Sequence, residues 1–305
     1  MIDKIDSLIE FLKYFKDEDT CREYFEQIRF QDGEYCVHCG NEKIYCFADG
    51  KRYRCSKCKK DFTIKTKTVF GESKIPLQKW FIAIYLLTSN KKGISSIQLS
   101  KQVGVTQKTA WFMDHRIRKA MKQNKNQLFG IVEIDETYIG GKEKNKHFYK
   151  RTKGVQGRST ATKTPIMGLI QRSGYIKAKA LNEVGMKTVE QQIVSNVQIG
   201  SQLITDDFMS YSQISKLYPH SVIKHGQKEY VRGDIHSNTI ESFWALFKRG
   251  YHGTYHCMSK KHLQSYVDEF VYRFNGRLTD FNFVFSDMIK KVSISDNLKY
   301  KTLIQ

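Results

Sequence analysis

Two Cys-x-x-Cys motifs constrain the fold of this chain more than any other feature. Cys36 and Cys39 form the first motif, and after fifteen intervening residues Cys55 and Cys58 form the second. Each motif is a tight turn that brings two thiolates to one point, and two such turns complete a tetrahedral site of four sulfurs. This geometry favours Zn²⁺, although an iron–sulfur cluster or unmetallated thiols remain alternatives. Four protein ligands leave no open coordination position, so the pattern predicts a structural metal.

The residues between the two motifs predict a zinc ribbon over residues 33–70. Residues 43–47 and 51–54 have strand character and flank Asp49-Gly50, a dipeptide typical of tight hairpin turns. A segment of this size builds little apolar core, so the metal would replace that core. Three further cysteines have no partner at ligand spacing, and one of them, Cys46, lies near enough to the motifs to remain an alternative ligand; they are Cys21, Cys46 and Cys257.

The net charge of +20 indicates a polyanionic partner. The 305 residues include 51 Lys and Arg against 31 Asp and Glu. Basic side chains displace the counterions that condense on nucleic-acid phosphates, so a protein this basic is expected to meet DNA. A surface charged only for solubility is the alternative. The length predicts about two domains, and a hydrophobic content of 40% is enough for a sizeable core.

No stretch of the sequence has the character of a membrane span or a secretion signal. The most apolar run, residues 80–87, is far shorter than the ~20 residues that cross a bilayer, and the N-terminal residues carry charges at nearly every turn. We therefore expect a cytoplasmic protein with reduced thiols and no membrane partner.

Changes of composition and periodicity predict five segments. The first segment is helical, with a buried stripe formed by Ile5, Leu8, Ile9, Leu12 and Phe15. The segments are a helical region at 1–32, the zinc ribbon at 33–70, a helix-turn-helix region at 75–125, a catalytic domain at 128–290 and a tail at 291–305.

Residues 94–118 predict the helix-turn-helix. Ser95 or Ser96 would cap the first helix, Gly104 would end it in the left-handed conformation, and Thr106 would cap the second helix. A short turn with glycine between two helices matches the DNA-reading motif, although two ordinary packed helices share the pattern.

The start of the second helix would carry the residues that read DNA bases. Gln107, Lys108 and Thr109 would be exposed there, where base edges are usually met. Nine basic residues and one acid between Lys91 and Lys125 favour DNA contact. A second basic segment, residues 140–163, has the composition of a solvated loop that touches phosphate. Its basic residues are Lys142, Lys144, Lys146, Lys150, Arg151, Lys153, Arg158 and Lys163.

Three acids in the C-terminal half predict a divalent-metal site. Asp135 lies inside an apolar strand pattern, where a carboxylate is unfavourable unless paired or metal-bound. Asp206 follows the apolar run 203–205, at the carboxyl end of a strand, where active groups collect in α/β sheets. Glu241 lies on a predicted helix, with Lys248 about two turns further on the same side and Arg249 next to it. Phosphodiester chemistry with two metal ions needs such carboxylates, and a cation beside them would meet DNA phosphate.

The strings around these acids resemble DDE transposases. They are VEIDETYIGG, ITDDF, HSNTIESFWALFKRGYHGTYH and YVDEFVYRFNGR. The chain is similar over nearly its whole length to the insertion-sequence family numbered fifteen ninety-five (ISXO-like, related to Merlin elements), which also has an N-terminal zinc ribbon. The resemblance implies an α/β fold with a ribonuclease-H-like catalytic domain, a mixed sheet flanked by helices. It also implies cut-and-paste chemistry on the DNA ends of its own element.

The resemblance also implies roles for single residues. Asp135 and Asp206 would be the first two acids, Glu241 the third and Lys248 the trailing lysine of the family. Some family members have Asn as the third residue, which makes Asn238 an alternative; Glu241 is preferred because a carboxylate binds Mg²⁺ better than an amide. A second acid, Asp207, follows Asp206 directly.

These residues lead to expected cofactors and partners. We expect Mg²⁺ or Mn²⁺ for catalysis and Zn²⁺ for structure. The partners would be double-stranded DNA at the element ends and at the target, with several copies of the chain in a nucleoid-associated complex. Two rival functions remain: a non-catalytic DNA-binding regulator, which leaves the three acids unexplained, and a metal-dependent nuclease without strand transfer.

Overall fold

The computed structural model describes residues 5–141, 145–151, 160, 162–207, 217–224, 227 and 231–304. The chain forms two units: unit 1 comprises Met1–Lys122 and Thr279–Gln305, and unit 2 comprises Gln123–Leu278. Residues 279–290 belong to unit 1, and the composition-based domain boundaries stay predictions. Within the described ranges, no helix is both long and apolar enough to cross a membrane.

The helices are α1 (Leu8–Tyr14), α2 (Glu18–Arg29), α3 (Leu77–Ser89), α4 (Ser96–Val103), α5 (Gln107–Ala120), α6 (Met186–Asn196), α7 (Asn238–Gly250), α8 (Leu263–Gly276), α9 (Phe281–Ile294) and α10 (Tyr300–Ile304). The strands are β1 (Ile44–Cys46), β2 (Arg52–Cys55), β3 (Asp61–Thr63), β4 (Ile131–Ile139), β5 (Thr164–Gln171), β6 (Ile176–Ala180), β7 (Gln202–Asp206), β8 (His220–Ile223), β9 (Val231–Arg232) and β10 (Ile235–His236).

An aromatic core joins the N-terminal helices of unit 1 to α9. The ring of Phe285 on α9 lies 5.2 Å from Phe11, 5.7 Å from Phe15 and 5.9 Å from Phe81, measured between centroids. All four rings are buried. Contacts between aromatic rings stabilise a core beyond the free energy that comes from burying the area of the rings.

The predicted apolar stripe of α1 is wrong in part. Ile5 and Phe15 are buried as expected, but Leu8, Ile9 and Leu12 are 39%, 67% and 41% exposed. Within α1 itself the buried residue is Phe11. The helix has only seven residues and ends at Tyr14, so one large aromatic side chain, not a long stripe, fixes its packing.

The helix-turn-helix has the caps that the sequence predicts. Ser95 accepts a hydrogen bond from the N–H of Gln98 and caps α4, which ends at Gly104 with φ 67° and ψ 54°. Thr106 accepts from the N–H of Thr109 and caps α5. Capping satisfies backbone groups that a helix end would leave without a partner.

Unit 2 contains a five-stranded mixed sheet in the order β6-β5-β4-β7-β8. Strands β4, β5 and β6 pair antiparallel, while β7 pairs parallel with both β4 and β8. The strands expected around Asp135 and before Asp206 form β4 and β7, and helices flank the sheet. The predicted α/β class, with a mixed sheet flanked by helices after a zinc ribbon, is confirmed.

Successive side chains of β4 point to opposite faces of the sheet and pack into two different cores. Val132 and Ile134 face a core that includes Val189 and Ile193 of α6. The opposite face packs on α7 and α8, through a cluster that includes Ile139, Ile166, Ile170, Ile240, Phe243, Trp244 and Phe270. Because successive strand residues point to opposite faces, the odd-numbered residues of β4 point toward α7.

Candidate active site and cysteine cluster

Four cysteine sulfurs of unit 1 meet at one point. The ligand atoms of Cys36, Cys39, Cys55 and Cys58 all lie within 4.8 Å of one another. The Sγ atoms of Cys36 and Cys58 are 3.6 Å apart, as are those of Cys39 and Cys55. A tetrahedral zinc with Zn–S bonds of about 2.3 Å needs adjacent sulfurs ~3.8 Å apart, so the cluster fits Zn²⁺.

The local structure of the ribbon prepares these sulfurs for a metal. The backbone N–H groups of Lys57 and Cys58 point at the Sγ of Cys55, at 3.3 and 3.4 Å, which favours the thiolate form. The predicted hairpin is present as β1 and β2, and β3 adds a strand that the sequence analysis missed. Cys46 is exposed and does not belong to the four-sulfur group.

Asp135 and Asp206 lie at the same level of two neighbouring parallel strands. The ladder between β4 and β7 pairs Glu133 with Ile204 as its last pair, and both aspartates come two residues later. Side chains two residues apart in a strand point to the same face of the sheet. Both carboxylates therefore lie on the same face as Glu133, which is the face that packs on α7. Strand β7 ends at Asp206, and Asp207 beyond it is exposed.

The charges of the other predicted site residues shift the pKa of Asp135. Burial raises the pKa of Asp135 from 3.8 to about 6, and the negative charges of Asp206 and Glu241 raise it as well. The N–H of Glu136 and the Lys248 ammonium act in the opposite direction. Carboxylates that are distant in the sequence therefore share one electrostatic environment, as expected of groups that hold a cation between them.

Helix α7 carries the third acid and the basic residues. Glu241 lies in its first turn, where its Oε1 accepts a hydrogen bond of 2.9 Å from the Ser237 hydroxyl. Lys248 and Arg249 lie in the last turn and are exposed. Asn238, the alternative third residue, is exposed at the start of the helix.

The three carboxylates are suited to hard divalent cations. Carboxylate oxygens are the ligands that Mg²⁺ and Mn²⁺ prefer. In two-metal sites, such carboxylates hold two ions about 3.5–4 Å apart.

The predicted DNA-reading residues lie at the start of α5, as expected. Gln107 and Lys108 are exposed there and Thr109 is half-buried. The Gln107 amide donates to the Ser96 hydroxyl at 2.8 Å, and the Lys108 ammonium lies 4.9 Å from the centre of the Tyr300 ring. Both side chains are thus held in place at the surface of α5.

The basic segment 140–163 contains a feature that the sequence analysis missed. Phe148 and Tyr149 are 84% and 77% exposed, directly before Lys150 and Arg151. Exposed aromatic rings among cations are typical of surfaces that stack on nucleic-acid bases, and the string His-Phe-Tyr-Lys-Arg would have been the signal. Four of the predicted basic residues lie outside the described residues: Lys142, Lys144, Lys153 and Arg158.

The chain is similar to transposase domains and to a protein of a mobile element. Residues 127–275 match the ISXO2-like transposase domain, and residues 16–61 match a transposase zinc-ribbon domain. An uncharacterized protein in transposable element ISH50 of Halobacterium salinarum is 30% identical over 277 residues, which cover 86% of this chain and 92% of that protein.

Two solved structures show a more distant similarity. The Mos1 strand transfer complex matches 70% of this chain and 74% of its own, with 15% identity and a TM-score of 0.29. The simian T-cell lymphotropic virus intasome matches 60% of this chain and 66% of its own, also with 15% identity and a TM-score of 0.29.

Proposed function

Because the chain belongs to the ISXO2-like transposase family, we propose that it cuts and joins DNA at the ends of an insertion sequence, with Asp135, Asp206 and Glu241 as ligands of two divalent cations. The observation that carries this proposal is the shared environment of the three acids where β7 ends beside β4, with Asp135 half-buried and its pKa raised by the charges of the other two. The substrate would be the terminal inverted repeats of the element.

The residues of the chain have distinct roles in this reaction. When bound, Mg²⁺ or Mn²⁺ supplies activation of a water or a 3′-hydroxyl and stabilises the leaving oxygen. The three carboxylates would place their negative charge where β7 ends beside the middle of β4, and the DNA backbone would approach there. Lys248 and Arg249 neutralise phosphates beside them, which positions the scissile strand without reading its sequence.

The DNA-binding surfaces would lie outside this site. Gln107, Lys108 and Thr109 would read base edges, while Lys150 and Arg151 would contact phosphate. Joining two element ends requires more than one active site, so we expect several copies of the chain in the DNA complex. Such a protein works in the cytoplasm and is associated with the nucleoid while it is bound.

Cleavage of DNA that carries the element's inverted repeats tests the proposal. Asp135→Ala, Asp206→Ala and Glu241→Ala should each abolish Mg²⁺-dependent cleavage while end-binding survives. Asp207→Ala and Asn238→Ala are matched controls, because each removes a neighbouring polar group, and both should retain cleavage. A loss in Asn238→Ala equal to that in Glu241→Ala would show that the third ligand is wrongly assigned.

The same experiment separates the rival functions. Cleavage without joining of the cut ends to a target would identify a nuclease without strand transfer. Binding without any metal-dependent cleavage would identify a DNA-binding regulator. Joining of cut ends supports the proposed transposase.

A further inference from the structure

A fourth acid, Glu133, is completely buried beside the three proposed ligands. It lies two residues before Asp135 on β4, on the same face of the sheet, with 0% of its surface exposed. A buried carboxylate is strongly unfavourable unless its charge is compensated and its oxygens are hydrogen-bonded. The contacts of Glu133 therefore indicate what this residue does.

One oxygen of Glu133 binds the start of α7. Its Oε2 accepts hydrogen bonds from the backbone N–H of Thr239 at 2.9 Å and of Ile240 at 3.0 Å. The first N–H groups of a helix have no partner within the helix, and the capping residue of α7, Ser237, makes no side-chain cap. Glu133 thus supplies from β4 the cap that α7 lacks in its own sequence, and its negative charge suits the positive end of the helix.

The other oxygen of Glu133 binds Arg172. Its Oε1 accepts from Nε and Nη2 of Arg172, at 3.2 and 3.0 Å, and from the Thr239 hydroxyl at 2.9 Å. Arg172 also donates to the carbonyls of Asp234 at 2.7 Å and His236 at 3.1 Å, just before α7. The guanidinium compensates the buried negative charge of Glu133. Through its bonds to the two carbonyls, it also links the residues just before α7 to the same carboxylate.

These contacts exclude Glu133 as a metal ligand in this geometry. A carboxylate offers about four lone-pair sites on its two oxygens, and five donors already point at those of Glu133. Asp135 lies two residues from Glu133 along β4, and Glu241 directly follows Ile240. The Glu133 carboxylate therefore provides a hydrogen-bonded connection between the strand of the first acid and the helix turn of the third.

We propose that Glu133 is a positioning residue that sets the distance between Asp135 and Glu241, and thereby the affinity of the site for divalent cations. The inference rests on the proposed function, because it takes those two acids as ligands. Glu133→Gln should disturb the position of α7, since a Gln amide has one accepting oxygen and one donating nitrogen. In one orientation the amide nitrogen faces the guanidinium of Arg172, and in the other it faces the N–H groups of Thr239 and Ile240. Either way a donor faces a donor, and those hydrogen bonds are lost.

Binding of Mn²⁺ to the zinc-loaded full-length chain, measured by titration calorimetry, tests this inference. Glu133→Gln should weaken Mn²⁺ binding by about 10- to 100-fold, the usual effect of removing a partner that orients a ligand. Cleavage should require correspondingly more Mn²⁺ and recover at saturating Mn²⁺. Asp135→Ala should not recover at any concentration.

Glu269→Gln is the matched control. Glu269 is also completely buried in unit 2, and it accepts hydrogen bonds from Arg273 and from the Tyr255 hydroxyl. Its substitution removes a similar buried charge on α8, so it should lower thermal stability and leave Mn²⁺ affinity unchanged. Equal Mn²⁺ affinity in Glu133→Gln and Glu269→Gln would overturn the inference.

A milder variant keeps the test decisive if Glu133→Gln does not fold. Thr239→Val removes only the hydroxyl donor and keeps the backbone N–H, and it should weaken Mn²⁺ binding by a smaller factor than Glu133→Gln; unchanged affinity would contradict the inference. If Asp135→Ala leaves Mn²⁺ binding and cleavage intact, the proposed function itself fails. If Asp135→Ala abolishes both while Glu133→Gln and Thr239→Val behave like Glu269→Gln, only the positioning role fails.

Discussion

The indole ring of Trp244 lies against the bare backbone of Gly168. A Cβ atom built on Gly168 would be 2.6 Å from Cζ2 of Trp244 and 3.2 Å from Cδ1 of Ile240. Gly168 pairs with Asp135 across β4 and β5, so the missing side chain lies beside the first acid, on the face that packs on α7. The absence of a Cβ at this position allows α7 to approach the sheet where the proposed site is built.

Gly168→Ala should therefore destabilise unit 2. The added methyl group requires Trp244 or α7 to shift, and overpacking of a core usually costs about 1–3 kcal/mol. Thermal denaturation would show the loss. Gly253→Ala is the control, because a Cβ at Gly253 meets nothing within 4 Å, and it should leave the melting temperature nearly unchanged.

Removal of zinc should unfold the ribbon. Cys36→Ser or a strong chelator should release one zinc per chain and weaken DNA binding, since the energy of metal binding is folding energy in a domain with little core. Metal analysis together with DNA binding checks this. Cys46→Ser should keep its zinc, because Cys46 lies outside the four-sulfur group. Full DNA affinity in a verified zinc-free protein would contradict the prediction.

The stability of the zinc-loaded protein, measured without Mg²⁺ or Mn²⁺, should depend on pH through Asp135. Its pKa in the folded state, about 6, lies above the ordinary 3.8, so the folded state binds the proton more tightly than the unfolded state does. The resulting stabilisation is complete below about pH 4 and is lost as the pH rises through about 6. Chemical denaturation of the zinc-loaded wild type and of zinc-loaded Asp135→Asn, both without Mg²⁺ or Mn²⁺, measures this stabilisation. The wild type should lose stability relative to the variant over this range, and parallel profiles would contradict the assignment.

The two basic regions should differ in what they contribute to DNA binding. Gln107→Ala and Lys108→Ala should relax discrimination at particular base pairs, by about 1–3 kcal/mol each. Lys150→Ala and Arg151→Ala should weaken binding to all sequences alike, because phosphate contacts carry no sequence information. Binding to a panel of single-base substitutions in the terminal repeat separates the two. If the α5 variants instead weaken binding to all sequences equally, that helix contacts phosphates and does not read bases.

Lys248→Ala should leave thermal stability nearly unchanged and lower cleavage. The ammonium is exposed and lies two turns beyond Glu241, outside the one-turn reach of helical ion pairs. End-binding of the variant should show a salt slope smaller by about one, as expected for one lost phosphate contact. Lys187→Ala, an exposed lysine on α6 at the other face of the sheet, should leave the slope unaltered. Unfolding of Lys248→Ala would place this residue in the scaffold.

The features that could be predicted from the sequence depend on local spacing. The four cysteines follow from the turn geometry of two short motifs, and the caps at Ser95 and Thr106 follow from the residues beside them. The strands of Asp135 and Asp206 follow from short apolar runs. In each case the interacting residues are near one another in the chain, so their spacing carries the information.

The features that could not be predicted depend on distant partners. Glu133 has the pattern of an ordinary polar strand residue, and its partners lie 39 positions away at Arg172 and 106 positions away at Thr239. The exposure of Leu8, Ile9 and Leu12 follows from the size of Phe11 and its contacts with Tyr85 and Phe285. Such contacts depend on which elements meet in three dimensions, and periodicity alone does not contain that information.

The position of α9 has a consequence for the synthesis of the chain. Phe285 completes the ring cluster of Phe11, Phe15 and Phe81, yet all of unit 2 leaves the ribosome between Phe81 and Phe285. During translation the aromatic side chains of the N-terminal helices therefore stay exposed until unit 2 and then α9 have been synthesised. Helices α4 and α5 thus reach a finished core only after unit 2 has been synthesised, so a prematurely terminated chain would not present them on a complete scaffold.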